Sequence, residues 1–150
     1  MKPDPPLVLN GIMAEFARYI GPELRTSSGQ GVFGLGLMVL GMIAQHYDRA
    51  SAILVEEDEA IASLLKDASY VADDAALQER VRRELDAPRH ANLRISALEQ
   101  DNARLRALLI DVHAAIEATG TPEARDINER IWAELQESTR RRHVVSRLAS

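Results

Sequence analysis

The chain has 150 residues, enough for one ordinary domain that buries about two-thirds of its unfolded surface. It contains no cysteine, which excludes disulfides, thiolate metal sites and cysteine nucleophiles. Its net charge of −5 repels phosphate backbones overall, so nucleic-acid binding would require a local basic patch.

Helical spacing of apolar residues recurs along the chain, and no stretch alternates as a half-buried strand does. The sequence therefore predicts an all-α helical bundle that ends in a long C-terminal antiparallel helix hairpin. The first predicted helix lies between Pro5-Pro6 and Gly21-Pro22. Its apolar residues follow the i, i+3, i+4 rule: Leu9, Ile12, Met13, Phe16 and Ile20.

Residues 29–34, GQGVFG, match the G-x-G-x-x-G pattern of a dinucleotide-binding turn. That turn needs a buried strand directly before it, and the preceding PELRTSS is a poor strand, so we expect a helix that binds no dinucleotide. Residues 32–44 are apolar all round, which is typical of a helix inside a bundle. A ligand pocket in that interior is the functional alternative, with the candidate lining residues Gly34, Met38, Gly41 and His46.

A third helix is predicted near 51–68, either separate from the second or continuous with it as one bent rod. Within it, the acidic run 56–59 is predicted to form a solvated first turn, because acids favour helix N-termini. Asp73 or Asp74 caps a short fourth helix that ends before Pro88. The sequence thus predicts an N-terminal bundle at 1–85, a linker at 86–92 and a helical hairpin at 93–150. The hairpin packs with the first segment as one domain or across a dimer.

The strongest pattern is an unbroken heptad series, spaced 3, 4, 3, 4, 3, 4, that predicts a helix–helix interface. Its members are Ile95, Leu98, Asn102, Leu105, Leu109, Val112 and Ile116. The interface can join two chains of a homodimer or lie within one chain, and the pairing can be parallel or antiparallel. Asn102 is expected to be buried, partnered by its own copy or by Asn128, Glu134 or Gln136. The substitution Asn102→Leu is then expected to raise thermal stability and loosen specificity.

The last helix is predicted from its capping residues. Gly120 suits a left-handed helix C-terminus, and Thr121-Pro122-Glu123 places an N-cap, a first-turn proline and an acid in order. The tail 140–147, RRRHVVSR, has four arginines and no acid. Arg140 to Arg142 are expected to be solvated and dispensable for folding, and nucleic-acid binding through the tail is the alternative.

These features favour a non-catalytic helical interaction or accessory protein that self-associates as a homodimer through residues 95–116. A small-molecule binder or enzyme, and a regulator that contacts nucleic acid, are the alternatives. We expect no catalytic site, cofactor or metal, since no Glu-x-x-His pair is present. We expect no membrane partner because the apolar run 31–44 has 14 residues and a span needs about 20. A cytoplasmic location follows from the lack of a signal-peptide pattern.

Overall fold

The computed structural model describes residues 4–143, except for the side chain of Asp48. Over that range the chain contains helices and no β-strand, so the predicted all-α class is confirmed. A short 3-10 helix, Gly21–Glu23, follows the first α-helix. The α-helices are α1 (Pro5–Tyr19), α2 (Ser27–Ser69), α3 (Ala75–Asp86), α4 (Ile95–Thr119) and α5 (Pro122–Arg141).

Helices α1 and α2 begin at side-chain caps that the sequence supplies. The Leu7 N–H donates to Asp4 Oδ1 at 3.3 Å, and Pro5 and Pro6 occupy the first turn, where their missing N–H groups cost nothing. Thr26 caps α2, since its Oγ1 accepts from the Gly29 N–H at 3.1 Å. The GQGVFG segment is therefore helical, as predicted.

Helix α2 is one continuous helix of 43 residues, about 65 Å long at 1.5 Å per residue. The predicted alternative of a single rod is correct, and the predicted break near residue 50 is wrong. No proline or glycine lies between Arg49 and Ser69, so nothing in the backbone chemistry ends the helix near residue 50.

The boundaries of α3, α4 and α5 follow the predicted caps. Asp74 Oδ1 accepts from the N–H groups of Ala76 and Leu77 at 2.9 and 3.0 Å. Gly120 ends α4 with a φ of 68°, a left-handed conformation that glycine adopts without steric cost. Thr121 Oγ1 then accepts from the Ala124 N–H at 3.2 Å to begin α5.

The substitution Gly120→Ala is expected to lower the free energy of unfolding by about 1 kcal/mol, because a Cβ is strained at this φ. Gly120→Asn is the matched control, since asparagine tolerates the left-handed region better than alanine. Urea denaturation measures both variants. If Gly120→Ala and Gly120→Asn both leave the stability unchanged, the turn does not depend on this conformation.

The chain forms two compact units, and the second is Ser51–Arg142. In this unit, the C-terminal half of α2 supplies the core together with α3, α4 and α5, and α4 contacts both α3 and α5. The fully buried core residues of the four helices are Ile61, Leu64, Leu65, Ala68, Leu77, Val81, Leu105, Leu108, Leu109, Val112, Ile116, Ala124, Ile127 and Ile131.

The predicted heptad interface is occupied within this single chain. Six of its seven residues are buried, and Ile95, at the start of α4, is 40% exposed. The connection between α3 and α4 spans 87–94, close to the predicted linker at 86–92. The antiparallel hairpin, and the role of 86–92 as a domain linker, stay predictions.

The first unit is built on residues up to Ala50 and contains α1 and the N-terminal half of α2. Within its described part, Ala44 is the one apolar residue that reaches full burial. The expectation that the glycine-bearing helix is buried inside a bundle is wrong for the single chain, since Val32 on α2 is 71% exposed. In the described part of this unit, α1 is the only α-helix beside α2, and one helix cannot surround another that is apolar on every side.

Candidate functional site

The acidic run of α2 divides into an exposed and a buried pair. Glu56 and Glu59 are exposed, whereas Glu57 and Asp58 are completely buried. The predicted solvated first turn is therefore wrong for the two central acids. The physical reason is that α2 begins thirty residues earlier, so the run lies in mid-helix and fans around it.

Glu57 accepts hydrogen bonds from side chains of α4 and α5 and from Arg142, which caps the end of α5. Arg142 binds both of its oxygens through a fork, with Nε 2.8 Å from Oε1 and a terminal nitrogen 2.5 Å from Oε2. Arg106 donates to Oε2 at 3.0 Å, and the Ser138 hydroxyl donates to Oε1 at 2.7 Å. Such bidentate guanidinium contacts are among the stronger hydrogen bonds in proteins.

Asp58 has a different set of partners. The Asn102 side-chain nitrogen donates to Oδ1 at 2.9 Å, and His90 Nε2 lies 3.2 Å from Oδ2. His90 has a φ of 58°, uncommon for a residue other than glycine, so its backbone is held in a strained turn beside the carboxylate. The contact ties the connection between α3 and α4 to α2.

Asn102 joins the two carboxylates. Its nitrogen also donates to Glu57 Oε2 at 3.2 Å, and its oxygen accepts from Arg106 at 3.0 Å and from Arg142 at 3.3 Å. The predicted burial of Asn102 is correct, but the predicted partners are wrong, because Glu57 and Asp58 lie opposite it. We call this group the ionic cluster: Glu57, Asp58, His90, Asn102, Arg106, Ser138 and Arg142.

The contacts control the ionisation of Glu57. Burial alone would raise its pKa, but hydrogen bonds from Arg142, Ser138 and Arg106 favour the charged form and lower the pKa from 4.5 to about 2. Glu57 is therefore a fixed anion at neutral pH. It is poorly suited to general acid–base chemistry, which works best with a pKa near the operating pH.

The hydrogen bonds within the ionic cluster satisfy its buried polar atoms. Every buried side-chain nitrogen and oxygen in residues 4–143 has a hydrogen-bond partner. In the same range, no group of three or more metal-ligating side chains is arranged to hold an ion. The arrangement fits a structural role that pins α4, α5 and the α3–α4 connection to α2.

The arginines at the end of α5 belong to this arrangement. Arg141 is largely covered and contacts Glu134 at 2.6 Å, so its predicted solvation is wrong. Arg142 is half-exposed but contacts Glu57, and the dispensability of these arginines for folding stays a prediction. Arg140 is exposed and reaches Glu137 at 3.4 Å. The tail residues 144–147 lie outside the described part of the chain.

Arg142→Met is expected to lower the free energy of unfolding by about 1 kcal/mol. A hydrogen bond to a charged group contributes roughly 1.5–3 kcal/mol to stability. Because the Arg142 guanidinium is half-exposed, water screens its attraction to Glu57 and the contribution is smaller. Arg140→Met is the matched control and should change the stability by less than about 0.5 kcal/mol. Chemical denaturation measures the free energy of unfolding of both variants. Equal losses would show that the contact between Arg142 and Glu57 does not stabilise the fold.

A second feature is the exposed apolar surface of the first unit. Helix α1 has no fully buried residue, and both helices of this unit expose large apolar side chains to solvent. They are Leu7, Val8, Ile12, Phe16, Tyr19 and Ile20 around α1 and Val32, Leu35, Val39, Ile43 and Tyr47 on α2. Exposed apolar patches of this extent are typical of surfaces that contact another protein or a membrane.

The proposed pocket residues Gly34, Met38, Gly41 and His46 all lie on this part of α2. A Cβ added at Gly34 would meet nothing within 4 Å, so that glycine faces open space. A Cβ at Gly41 would lie 3.8 Å from the Met13 sulfur of α1. These residues therefore do not line an enclosed cavity in the described part of the chain, and the pocket stays a prediction.

One available sequence signal for the ionic cluster lies in the spacing along α2. Ile53, Leu54 and Ile61 are buried, and the i+3 and i+4 rule between them places Glu57 and Asp58 on the same face. Two acids on a core face require buried donors, and Asn102 on the heptad helix is such a donor.

No protein-family model, curated protein or solved structure matches this chain. Inferences about its function therefore rest on the geometry of the two units.

Proposed function

We propose that this chain is a non-catalytic helical interaction protein, in which the second unit is a rigid helical body and the first unit carries the docking surface. The observation that carries the proposal is the exposure of eleven large apolar side chains around α1 and on the N-terminal half of α2. Burying such a side chain fully contributes roughly 1.5–3 kcal/mol, so covering this surface strongly favours association.

The docking surface is not the heptad face of α4. Leu98, Leu105 and Leu109 are already buried against helices of the same chain. A dimer formed through them would first have to separate α4 from α5 and lose the core of the second unit. Association through the first unit leaves that core intact.

A lipid bilayer is the competing occupant of the apolar surface. By length and composition, the 21 residues Ser27–Tyr47 suffice to cross a membrane, they contain no charged residue, and only 6% of the stretch is buried. This observation concerns one helix alone, and α1 packs beside it.

The packing of α1 favours a protein partner. Met13 lies beside Gly41 and Gly21 beside Phe33, so Glu15 and Arg18 lie level with the middle of the apolar stretch. A charged side chain at the centre of a bilayer costs at least roughly 2.5–3.5 kcal/mol. If α2 crossed a bilayer, Glu15 and Arg18 would lie near its centre, and this cost would offset much of the free energy gained by burying the apolar side chains of α2.

The other candidate functions have less support from the described residues. The Arg80, Arg83 and Arg104 side chains line an open cavity of about 330 Å³ on the second unit. Each of them pairs with an acid, namely Asp111, Glu79 and Asp101 respectively. Counterions already present in the chain leave little attraction for a phosphate backbone.

Limited proteolysis tests the docking proposal. Purified without detergent, the protein is expected to resist trypsin after Arg18, Arg25 and Arg49, because a partner covers the first unit. The double variant Phe16→Glu, Ile43→Glu should be cleaved at these sites at least tenfold faster, with the second unit still resistant. A wild-type protein cleaved there as fast as the variant, or one obtainable only in detergent, would contradict the proposal.

A further inference from the structure

The glycines of α2 all lie in its N-terminal half. Five glycines occur between Ser27 and Ala50, and none occurs between Ser51 and Ser69. A glycine inside a helix lowers the helix equilibrium about fivefold relative to alanine, because its backbone has more conformations to lose. Intrinsic helix stability is therefore much lower in the N-terminal half of this continuous helix than in its C-terminal half.

Close packing within the described chain does not explain three of these glycines. A Cβ added at Gly31, Gly34 or Gly36 would meet nothing within 4 Å. Alanine would fit at each of the three positions, so the glycines weaken the helix without making room for a neighbour from the described residues. Substitution there changes helix stability and leaves these contacts intact.

Buried contacts divide along α2 in the same way. Among the described side chains of the N-terminal half, only Ala44 is fully buried. The C-terminal half buries nine residues: Ile53, Leu54, Glu57, Asp58, Ile61, Ala62, Leu64, Leu65 and Ala68. Helices in proteins are stabilised mainly by the packing of one face, so the C-terminal half is held by tertiary contacts that the N-terminal half lacks.

The exposed apolar side chains of the N-terminal half do not compensate for its glycines. Val32, Leu35 and Ile43 are about half-exposed or more in the helix, and they would also contact water in an unfolded segment. Helix formation by this segment alone therefore buries little apolar surface, and the hydrophobic effect contributes little to it. That contribution becomes large only when another apolar surface covers these side chains.

We propose that residues 31–44 of α2 form a conditional helix, which is folded when its apolar side chains are covered and unfolds locally when they are not. The inference rests on the proposed interaction function, which supplies the cover, and adds a form of regulation to it. Ordering the segment uses part of the free energy of association, so binding is weaker and more easily reversed than for a preformed helix. The number of glycines sets the size of this effect.

Hydrogen exchange of the Phe16→Glu variant tests the proposal, because the glutamate on α1 disfavours apolar cover. In this variant, the amides of residues 38–44 are expected to exchange at least about a hundredfold faster than those of residues 54–68, which open only when the packed half unfolds. Cooperative opening of residues 38–44 from the start of α2 unfolds all three glycine positions. Adding Gly31→Ala, Gly34→Ala and Gly36→Ala should therefore slow their exchange about a hundredfold, since three fivefold effects multiply.

The matched control for the alanine substitutions is Ser63→Ala in the same Phe16→Glu background. Ser63 is an exposed position of α2 in its C-terminal half. Its replacement also improves helix propensity, but it lies outside the conditional helix. Exchange of residues 38–44 should therefore stay unchanged in this control.

Gly36→Pro in the otherwise wild-type chain keeps the test decisive if the Phe16→Glu variant fails to fold. Proline removes a helical hydrogen bond and clashes with the preceding turn. The variant is expected to lose protection at residues 31–44 and to keep the wild-type exchange rates at residues 54–68. An equal loss of protection in both ranges would show that α2 opens as one cooperative unit and would overturn the proposal.

The wild-type protein separates this inference from the interaction function. Slow exchange of residues 38–44 in the wild type and fast exchange in Phe16→Glu support both. Fast exchange in both proteins, slowed by the three alanines, means that nothing covers the surface, so the interaction function fails and the conditional helix stands. Exchange in Phe16→Glu that is as slow as at residues 54–68, or that the three alanines do not change, overturns the inference.

Discussion

Asn102→Leu is expected to lower the free energy of unfolding by roughly 3 kcal/mol. The asparagine nitrogen donates to Glu57 and Asp58, and its oxygen accepts from Arg106 and Arg142. Leucine fills a similar volume but leaves two completely buried carboxylates short of a donor, and breaking a buried charge network costs roughly 3–5 kcal/mol when its groups cannot reach water. The half-exposed arginines can turn outward, which reduces the cost.

This expectation reverses the sign predicted from the heptad pattern alone, where a polar residue among aliphatic ones suggests a gain on changing to leucine. The matched control is Gln100→Leu, an exposed position on the same helix that should stay within about 0.5 kcal/mol of wild type. Urea denaturation gives both values. An Asn102→Leu protein at least as stable as the wild type would show that the ionic cluster contributes no net stability.

Acid is expected to remove a similar amount of stability through Glu57. Its pKa in the folded chain is about 2, against the ordinary value of 4.5, so the unfolded chain binds the proton more readily. The stabilisation is fully present above about pH 5 and is lost as the pH falls toward 2. A difference of 2.5 units corresponds to about 3 kcal/mol at neutral pH.

Glu57→Gln isolates this contribution, because glutamine has no proton to bind in that range. The variant should be less stable than wild type at pH 7 and should lose less stability between pH 5 and 2. Glu59→Gln, an exposed neighbour in the same run, is the control and should keep the wild-type slope. Parallel acid slopes for wild type and Glu57→Gln would contradict the assigned contacts.

Local chemistry predicted the helix ends of the second unit well. Asp74 and Thr121 are caps and Gly120 is left-handed, because each of these features depends on neighbours within a few residues. The heptad spacing also predicted the buried face of α4, where six of the seven residues are buried. The predictions that failed concern contacts between residues that are far apart in sequence. Whether Glu57 faces solvent depends on Arg106 and Arg142, which lie 49 and 85 residues from it in sequence.

The apolar character of α2 was also evident in the sequence, but its environment was not. A helix that is apolar all round needs cover, and composition does not say whether a core, a partner or a bilayer provides it. The structure shows that the single chain leaves Val32 and its neighbours exposed. The proposed answer, a protein partner, came from the packing of α1 and the charges that it carries.

Hydrogen exchange of the α2 amides tests the central claim, that a protein partner covers the first unit, most directly. In the wild-type protein, the amides of residues 31–44 are expected to exchange at least about tenfold more slowly than in the Phe16→Glu variant, since association protects them by mass action. The amides of 105–116 in α4 should be unchanged. Equal rates for 31–44 in both proteins, in the absence of lipid, would contradict the account.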